Sequence, residues 1–169
     1  MPAIESGAMN DVPPESLPAS AKRLPPTIER VLSRFRAMSR EEKMQTLVYY
    51  SKKLEPVPQR FRDLDRAQFA VPECQTPVEL YPEFRDGNLH FYAELDVKQS
   101  PTVAAFLAIL FSAINDQPPD TTLAIPSDFV HHVMEGIGLS GREVGLNAMV
   151  VRIRRHAERA AAEGGAHSK

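Results

Sequence analysis

Cys74 is the only cysteine among 169 residues, so this chain can close no internal disulfide and build no multi-cysteine metal site. Any function that rests on this thiol uses one sulfur, alone or with a partner molecule. Cys74 stands in Val71-Pro72-Glu73-Cys74-Gln75-Thr76-Pro77-Val78. Proline lacks an amide donor and pushes the residue before it toward extended backbone. Pro72 and Pro77 therefore bracket a stiff segment, and Glu73 and Gln75 flank the thiol with polar groups. Two readings stay open. A lone cysteine is commonly a small, inert, buried apolar residue. A cysteine on a stiff polar loop just ahead of a strand is a thiol presented to another protein, since loops often carry functional groups.

Other side chains with chemical potential carry weaker signals. His131 and His132 are adjacent on a short helix, so they point in different directions, whereas metal-ligand pairs sit at i, i+4 or similar spacing; no metal site is expected there. His90 falls on the polar face of a strand and is expected to be solvated. Arg142 reads either as a charge at a partner surface or as a solvent-exposed residue in the first turn of a helix. Arg152, Arg154, Arg155 and Arg159 read as a solvated face before a docking patch. Tyr49 and Tyr50 are expected to be partial core, and Gly145 to permit close packing inside a helix. The sequence contains no Ser-His-Asp set, Gly-rich phosphate loop or paired-carboxylate motif.

The elements that must position Cys74 follow from periodicity. Ile28, Val31, Leu32 and Phe35 fall at i, i+3, i+4 and i+7, the pattern of an amphipathic helix. Ser39-Arg40-Glu41-Glu42 is a capping box that opens a second helix with a Met44, Leu47, Val48 stripe, stopping before Pro56. Residues 59–70 are expected to be irregular with a helical turn, anchored by Phe61, Leu64 and Phe69. Two alternating runs, Val78 to Phe84 and Leu89 to Leu95, flank Arg85-Asp86-Gly87-Asn88, and Asp-Gly between such runs signals a β-hairpin. Pro82 cannot donate to the ladder, which suits an edge strand or a bulge. A two-stranded hairpin is not stable alone. Ser100-Pro101 is an N-cap with proline at the first position, opening a strongly apolar helix from Val103 to Ile114. Ser127 is expected to cap a short helix through Met134, ended by Gly136 and Gly138. Ser140 is expected to cap a last helix with Leu146, Met149, Val150 and Ile153 inward. The order α-α-β-β-α-α-α is an α+β layer architecture.

Composition bounds the rest. The length suffices for one domain with its own core. A net charge of −2 gives no support for nucleic-acid binding, and no apolar run reaches the roughly 18 residues of a membrane span. Residues 1–26 are rich in proline and small polar residues, read as a disordered tail that cannot bury enough surface to offset its ordering entropy. Residues 27–160 form the single domain, and 161–169, rich in Ala and Gly, read as a flexible C-terminal tail. Unpaired cysteine usage and the lack of a secretory signal suit a reducing, cytoplasmic compartment.

From about Thr27 to Arg159 the chain resembles the SufE-like sulfur-acceptor proteins of iron–sulfur cluster assembly. Four parts match in order: Lys53-Leu54-Glu55-Pro56-Val57-Pro58 after the helical hairpin; Val71-Pro72-Glu73-Cys74-Gln75; Asp86-Gly87-Asn88-Leu89-His90-Phe91; and Leu139-Ser140-Gly141-Arg142-Glu143-Val144-Gly145-Leu146-Asn147-Ala148-Met149. The cysteine loop is the most specific. In the family it usually reads Val-Pro-Gly-Cys-Gln-Ser-Gln-Val, and its cysteine is the persulfide carrier, a role that maps onto Cys74. Arg-x-x-Gly-Leu maps onto Arg142, Gly145 and Leu146. The chain departs from the pattern at Glu73, where the family has glycine, at Pro77, at Gln99-Ser100-Pro101, and at Phe106, where the family has a glycine early in the helix. Glycine lets the loop flex and glutamate restricts φ, and a carboxylate beside a thiol disfavours the thiolate.

The resemblance implies an α+β fold shared with IscU-type scaffolds, a small antiparallel sheet covered by helices on one face, with the cysteine loop in a shallow apolar hollow. It implies a sulfur carrier that takes persulfide sulfur from a cysteine desulfurase (SufS-like) on Cys74, stimulates that enzyme, and passes sulfur to an Fe–S scaffold (SufB-like). Glu73, Gln75 and Arg142 would lie at the loop and partner surface. The chain would be a sulfur-transfer accessory protein rather than a stand-alone enzyme. It would need no cofactor, pyridoxal phosphate belonging to the desulfurase, and would bind neither nucleic acid nor membrane, as a monomer or weak dimer. Two other readings stand beside this one: a noncatalytic adaptor that binds a desulfurase or other partner without moving sulfur, and a cluster-binding scaffold. One cysteine speaks against the scaffold, because clusters usually take several thiolate ligands.

Overall fold

The computed structural model describes residues 24–138 and 140–167. The N-terminal tail read from the sequence falls almost wholly on residues 1–23, outside the described residues, as does Leu139 of the closing motif. Leu24 packs partly against the core, and Pro26 is the first residue of helix α1 (Pro26–Ala37), which buries Ile28, Leu32 and Phe35. Proline is suited to that first position, whose amide has no helical partner in any case.

Helix α2 (Arg40–Ser51) starts with the expected capping box: the Glu42 amide donates to Ser39 Oγ and the Ser39 amide to the Glu42 carboxylate. Its inward face differs from expectation. Lys43, Leu47 and Ser51 are buried, while Met44 and Val48 are exposed. The reason is Lys43, whose Nζ donates to the carbonyls of Glu135 (2.9 Å) and His132 (3.5 Å). It satisfies carbonyls left over at the end of helix α6 (Phe129–Met134), where a cation suits the helix dipole. Bringing that ammonium inward carries Met44 and Val48 out. Tyr49 is exposed as well, with only Tyr50 against the core.

After a four-residue helical turn, α3 (Gln59–Arg62), comes the hairpin of β1 (Glu79–Arg85) and β2 (Asn88–Glu94). The strands pair antiparallel from Glu79↔Glu94 to Arg85↔Asn88. Asp86 (φ 55°) and Gly87 (φ 83°) both take positive φ, as a two-residue type I′ turn requires. The outer edges are not left bare. The Val71 and Leu80 amides donate to the carbonyls of Val78 and Phe69; on the other edge the Leu89 amide donates to the Gln117 carbonyl and the Asp116 amide to the Leu89 carbonyl. Asn115 adds a side-chain bridge to both backbone groups of Phe91. Short irregular segments thus blunt both edges.

Helix α4 (Pro101–Ile114) is the centre of the molecule, buried on nearly every side between the hairpin and helices α1 and α2. Phe106 is fully buried and meets Phe129 edge to face at 6.0 Å, so this aromatic is a core residue. The second face of the sheet carries a smaller cluster of Val57, Phe61, Tyr81 and Tyr92. Leu64, expected as an anchor, is exposed.

Three boundaries differ from the sequence reading. Helix α5 (Pro119–Leu123) occupies part of the expected Pro118-Pro119 loop. Helix α6 starts after Asp128 rather than Ser127, with no side-chain cap. The last helix, α7 (Glu143–His167), begins only after a 3₁₀ turn over Ser140–Arg142 and runs through most of the expected C-terminal tail. Alanine is the best helix former, and Ala157 and Ala160 are buried just ahead of this segment, so the helix enters it already anchored to the core.

Candidate functional site

The cysteine loop is pinned at three places. At its base the Val71 amide donates to the Val78 carbonyl (3.0 Å), and both valines are buried. Inside that pinch the Cys74 amide donates to the Val71 carbonyl (3.2 Å), folding Val71 to Cys74 into a tight turn. On one flank Thr76 Oγ1 and Ser100 Oγ share a hydrogen bond of 2.8 Å. Ser100 therefore spends its hydroxyl on the loop and makes no side-chain cap on α4. On the other flank the Arg152 guanidinium reaches both oxygens of Glu73, at 3.3 and 3.4 Å. The backbone amide of Glu73 itself, and then Arg152, hold its carboxyl below the usual range. Glu73 is an anion engaged by α7, and its charge is offset there.

Between these ties Cys74 is half-buried. It seats on Gly145, the third residue of α7: a Cβ at 145 would stand 3.4 Å from the Cys74 Cα and 3.5 Å from its Sγ. The closing motif and the cysteine loop thus meet. Around the thiol lies a hollow of about 110 Å3. Its apolar lining is Val103, Val144 and Leu146, and Glu73, Gln75, Thr76 and Arg142 make its polar part. The lining is mixed rather than apolar, because the loop's polar side chains and Arg142 share it. Space for one small atom needs about 10–15 Å3, so the hollow has room for a sulfur beyond Sγ.

All four residues singled out from sequence, Glu73, Cys74, Gln75 and Arg142, line this one hollow. Gln75 and Arg142 are exposed at its edge. Val144, three-quarters exposed, adds an apolar spot beside them. Sequence reasoning missed Thr76, Ser100 and Arg152 as loop ties; Arg152 lies 79 residues from Glu73, and no local signal joins them. The histidines stay out of the site. His132 bonds Asp128 at 2.9 Å and His131 faces Glu143 at 3.6 Å, in different directions. His90 is not solvated as expected but clasped between Glu55 (2.8 Å) and Asp116 (2.9 Å). Among the described residues no helix is long and apolar enough to cross a membrane.

Comparison with known proteins shows the family and the fold. Residues 29–157 match a family model described as SufE, an Fe-S metabolism associated domain. An uncharacterized SufE-like protein of Mycobacterium tuberculosis, in strains CDC 1551 and H37Rv, is 31% identical over 136 residues, spanning 78% of this chain and 92% of the relative. An uncharacterized SufE-like protein of Synechocystis is 25% identical over 108 residues, 63% of this chain and 64% of the relative. The solution structure of a hypothetical protein from Thermus thermophilus superposes with a TM-score of 0.71 at 26% identity, covering 83% of this chain and 99% of that one.

Proposed function

The chain belongs to the SufE family, an Fe–S metabolism associated domain, and from that premise we propose that Cys74 is the sulfur-carrying residue of a transpersulfidation step. The donor is a cysteine desulfurase holding sulfur as a persulfide on its own cysteine. The Cys74 thiolate attacks the outer sulfur. A bond forms between Cys74 Sγ and that sulfur, and the bond between the two donor sulfurs breaks. The donor leaves as a thiolate that takes up the proton Cys74 lost. The step is thiol–disulfide exchange chemistry, with no net oxidation. Desulfurase turnover is stimulated because its persulfide is cleared. A cluster scaffold then receives the sulfur from Cys74. A second cysteine would discharge the persulfide as a disulfide, and this chain has none.

The observation that carries this reading is the half-buried thiol of Cys74 seated on Gly145 in a hollow with room for a further sulfur. Pyridoxal phosphate and the chemistry that releases sulfur from L-cysteine belong to the donor. Arg142 and Val144 at the rim are suited to partner contact.

One observation favours a second reading. Where the family loop has glycine this chain has Glu73, and its tie to Arg152 holds the loop down, as suits an adaptor that binds a partner without moving sulfur. Mass spectrometry separates the two. The protein is incubated with a cysteine desulfurase, pyridoxal phosphate and L-cysteine, with Cys74→Ser as control. A gain of one or more sulfur masses on Cys74, absent from the control, is the expected result. No gain alongside intact desulfurase binding would establish the adaptor.

A further inference from the structure

Beyond the cysteine loop, helix α7 lays a basic stripe toward the segment that precedes β1. Arg152, Arg155, His156 and Arg159 close a pocket of about 90 Å3 against Gln68, Phe69 and Leu80, and no carboxylate lines it. The spacing i, i+3, i+7 places the three arginines on one face of the helix. Arg154 is not among them, since it turns away to donate to the Leu123 carbonyl at 3.4 Å. Among the described residues Arg155 and Arg159 form no ion pair, and Arg152 forms one, to Glu73. The surplus charge acts on its neighbours: burial, then Arg159 and Arg152, hold His156 below the ordinary histidine value. The pocket shares Gln68, Phe69, His156 and Arg159 with an adjoining groove of about 720 Å3, also lined by Phe84, with Glu163 its single carboxylate.

We propose that this groove docks an acidic segment of a partner protein, and that a carboxylate of that segment takes Arg152 from Glu73 and so frees the Cys74 loop. Charge complementarity identifies the occupant: three arginines line a small cavity that no carboxylate lines, and the adjoining groove has aromatic walls for the residues on either side. The chain supplies its own precedent, because Glu73 is already a carboxylate bound at Arg152. That hold is loose. Its bonds of 3.3 and 3.4 Å exceed the 2.7–2.9 Å or so of a tight charge-assisted pair, and Arg152 and Glu73 side chains are 29% and 49% exposed. An incoming carboxylate that also meets Arg155 and Arg159 has the stronger claim on Arg152. Cys74 is the next residue along, so losing the Glu73 tie removes one of the three pins on its loop.

Fluorescein-labelled hexaglutamate serves as the probe, titrated with the full chain by anisotropy, with the alkylation rate of Cys74 by iodoacetamide measured in parallel. Saturable, salt-sensitive binding is expected, weakened about tenfold or more in an Arg155→Glu/Arg159→Glu variant because like charges then oppose the peptide. Both arginines are exposed, and an unchanged melting curve verifies the fold of that variant. Hexaglutamate is expected to raise the alkylation rate several-fold, and Glu73→Gln to show the fast rate without peptide. Absence of saturable binding, binding indifferent to the charge reversal, or binding that leaves alkylation unchanged would overturn the proposal. So would tighter binding of a hexathymidylate or of inorganic phosphate, which would reassign the groove to another anion. None of these readouts requires sulfur transfer, so failure of the sulfur-carrier reading and failure of this one are separable.

Discussion

Substituting Gly145 tests the seat of Cys74 directly, because two substitutions of graded size should move its reactivity in opposite directions. An alanine Cβ at 145 would stand 3.4, 3.5 and 3.7 Å from the Cα, Sγ and Cβ of Cys74. These are van der Waals contacts, so the loop need not shift. Replacing glycine by alanine in a helix gains up to about 1 kcal/mol, less in a first turn, and the melting temperature should hold or rise by up to about 2–4 °C. The added methyl fills open space beside Sγ, and iodoacetamide should alkylate Cys74 more slowly. Valine cannot be housed the same way, since its two further methyls press on a loop already at contact distance. Overpacking of this kind costs about 1–3 kcal/mol, or roughly 2–12 °C for a chain of this size. The relief available is for the loop to lift, so alkylation of Gly145→Val should be faster than wild type. The assay pairs thermal melting by circular dichroism with pseudo-first-order alkylation rates followed by mass spectrometry. A valine variant with wild-type melting and wild-type alkylation would show that the loop is not seated on α7, and the argument for a sheltered thiol would fail with it.

Two further outcomes follow from the same structure. Phe106→Ala empties a fully buried site against Phe129 and should cost about 3–5 kcal/mol, read as a lower urea midpoint; a loss under about 1 kcal/mol would mean the helix relaxes into the space. His90 gives a pH signature: burial pulls it down, but the hydrogen bonds to Asp116 and Glu55 outweigh this and hold it above 6.5. A raised histidine stabilises fully below the unfolded value and loses that contribution as pH rises through the folded one, so urea stability should decline just above pH 6.5, a decline that Glu55→Gln/Asp116→Asn should abolish. His156, held low, acts below pH 6.5 in the opposite sense, so the two windows are distinct.

Local rules made much of the fold legible. Asp86-Gly87 announced the hairpin because few residues tolerate two successive positive φ values. The capping box at Ser39 announced α2 because it satisfies amides within four residues of one another. Reading went wrong where a distant group took over. The inward face of α2 was set by Lys43 reaching the end of α6, and His90 was claimed by two carboxylates from other segments. Ser100 was diverted from its cap by Thr76. Each case is a polar side chain whose partner lies far along the chain, and hydrophobic periodicity carries no information about such partners.

For the site, the sequence by itself determined which atom is the candidate for the proposed sulfur transfer. One sulfur, between two prolines and beside polar residues, leaves no alternative thiol, and the surrounding motif led to the family that the comparisons then showed. Tertiary structure alone decided how that sulfur is held. Seating Cys74 on Gly145, closing Arg142 and Val144 around it, and tying Glu73 to Arg152 all require α7 to pack beside a loop some 70 residues earlier. Composition and spacing specify a helix and a loop; the depth of the hollow and the charge on its flank exist only once burial of the shared core brings the two together.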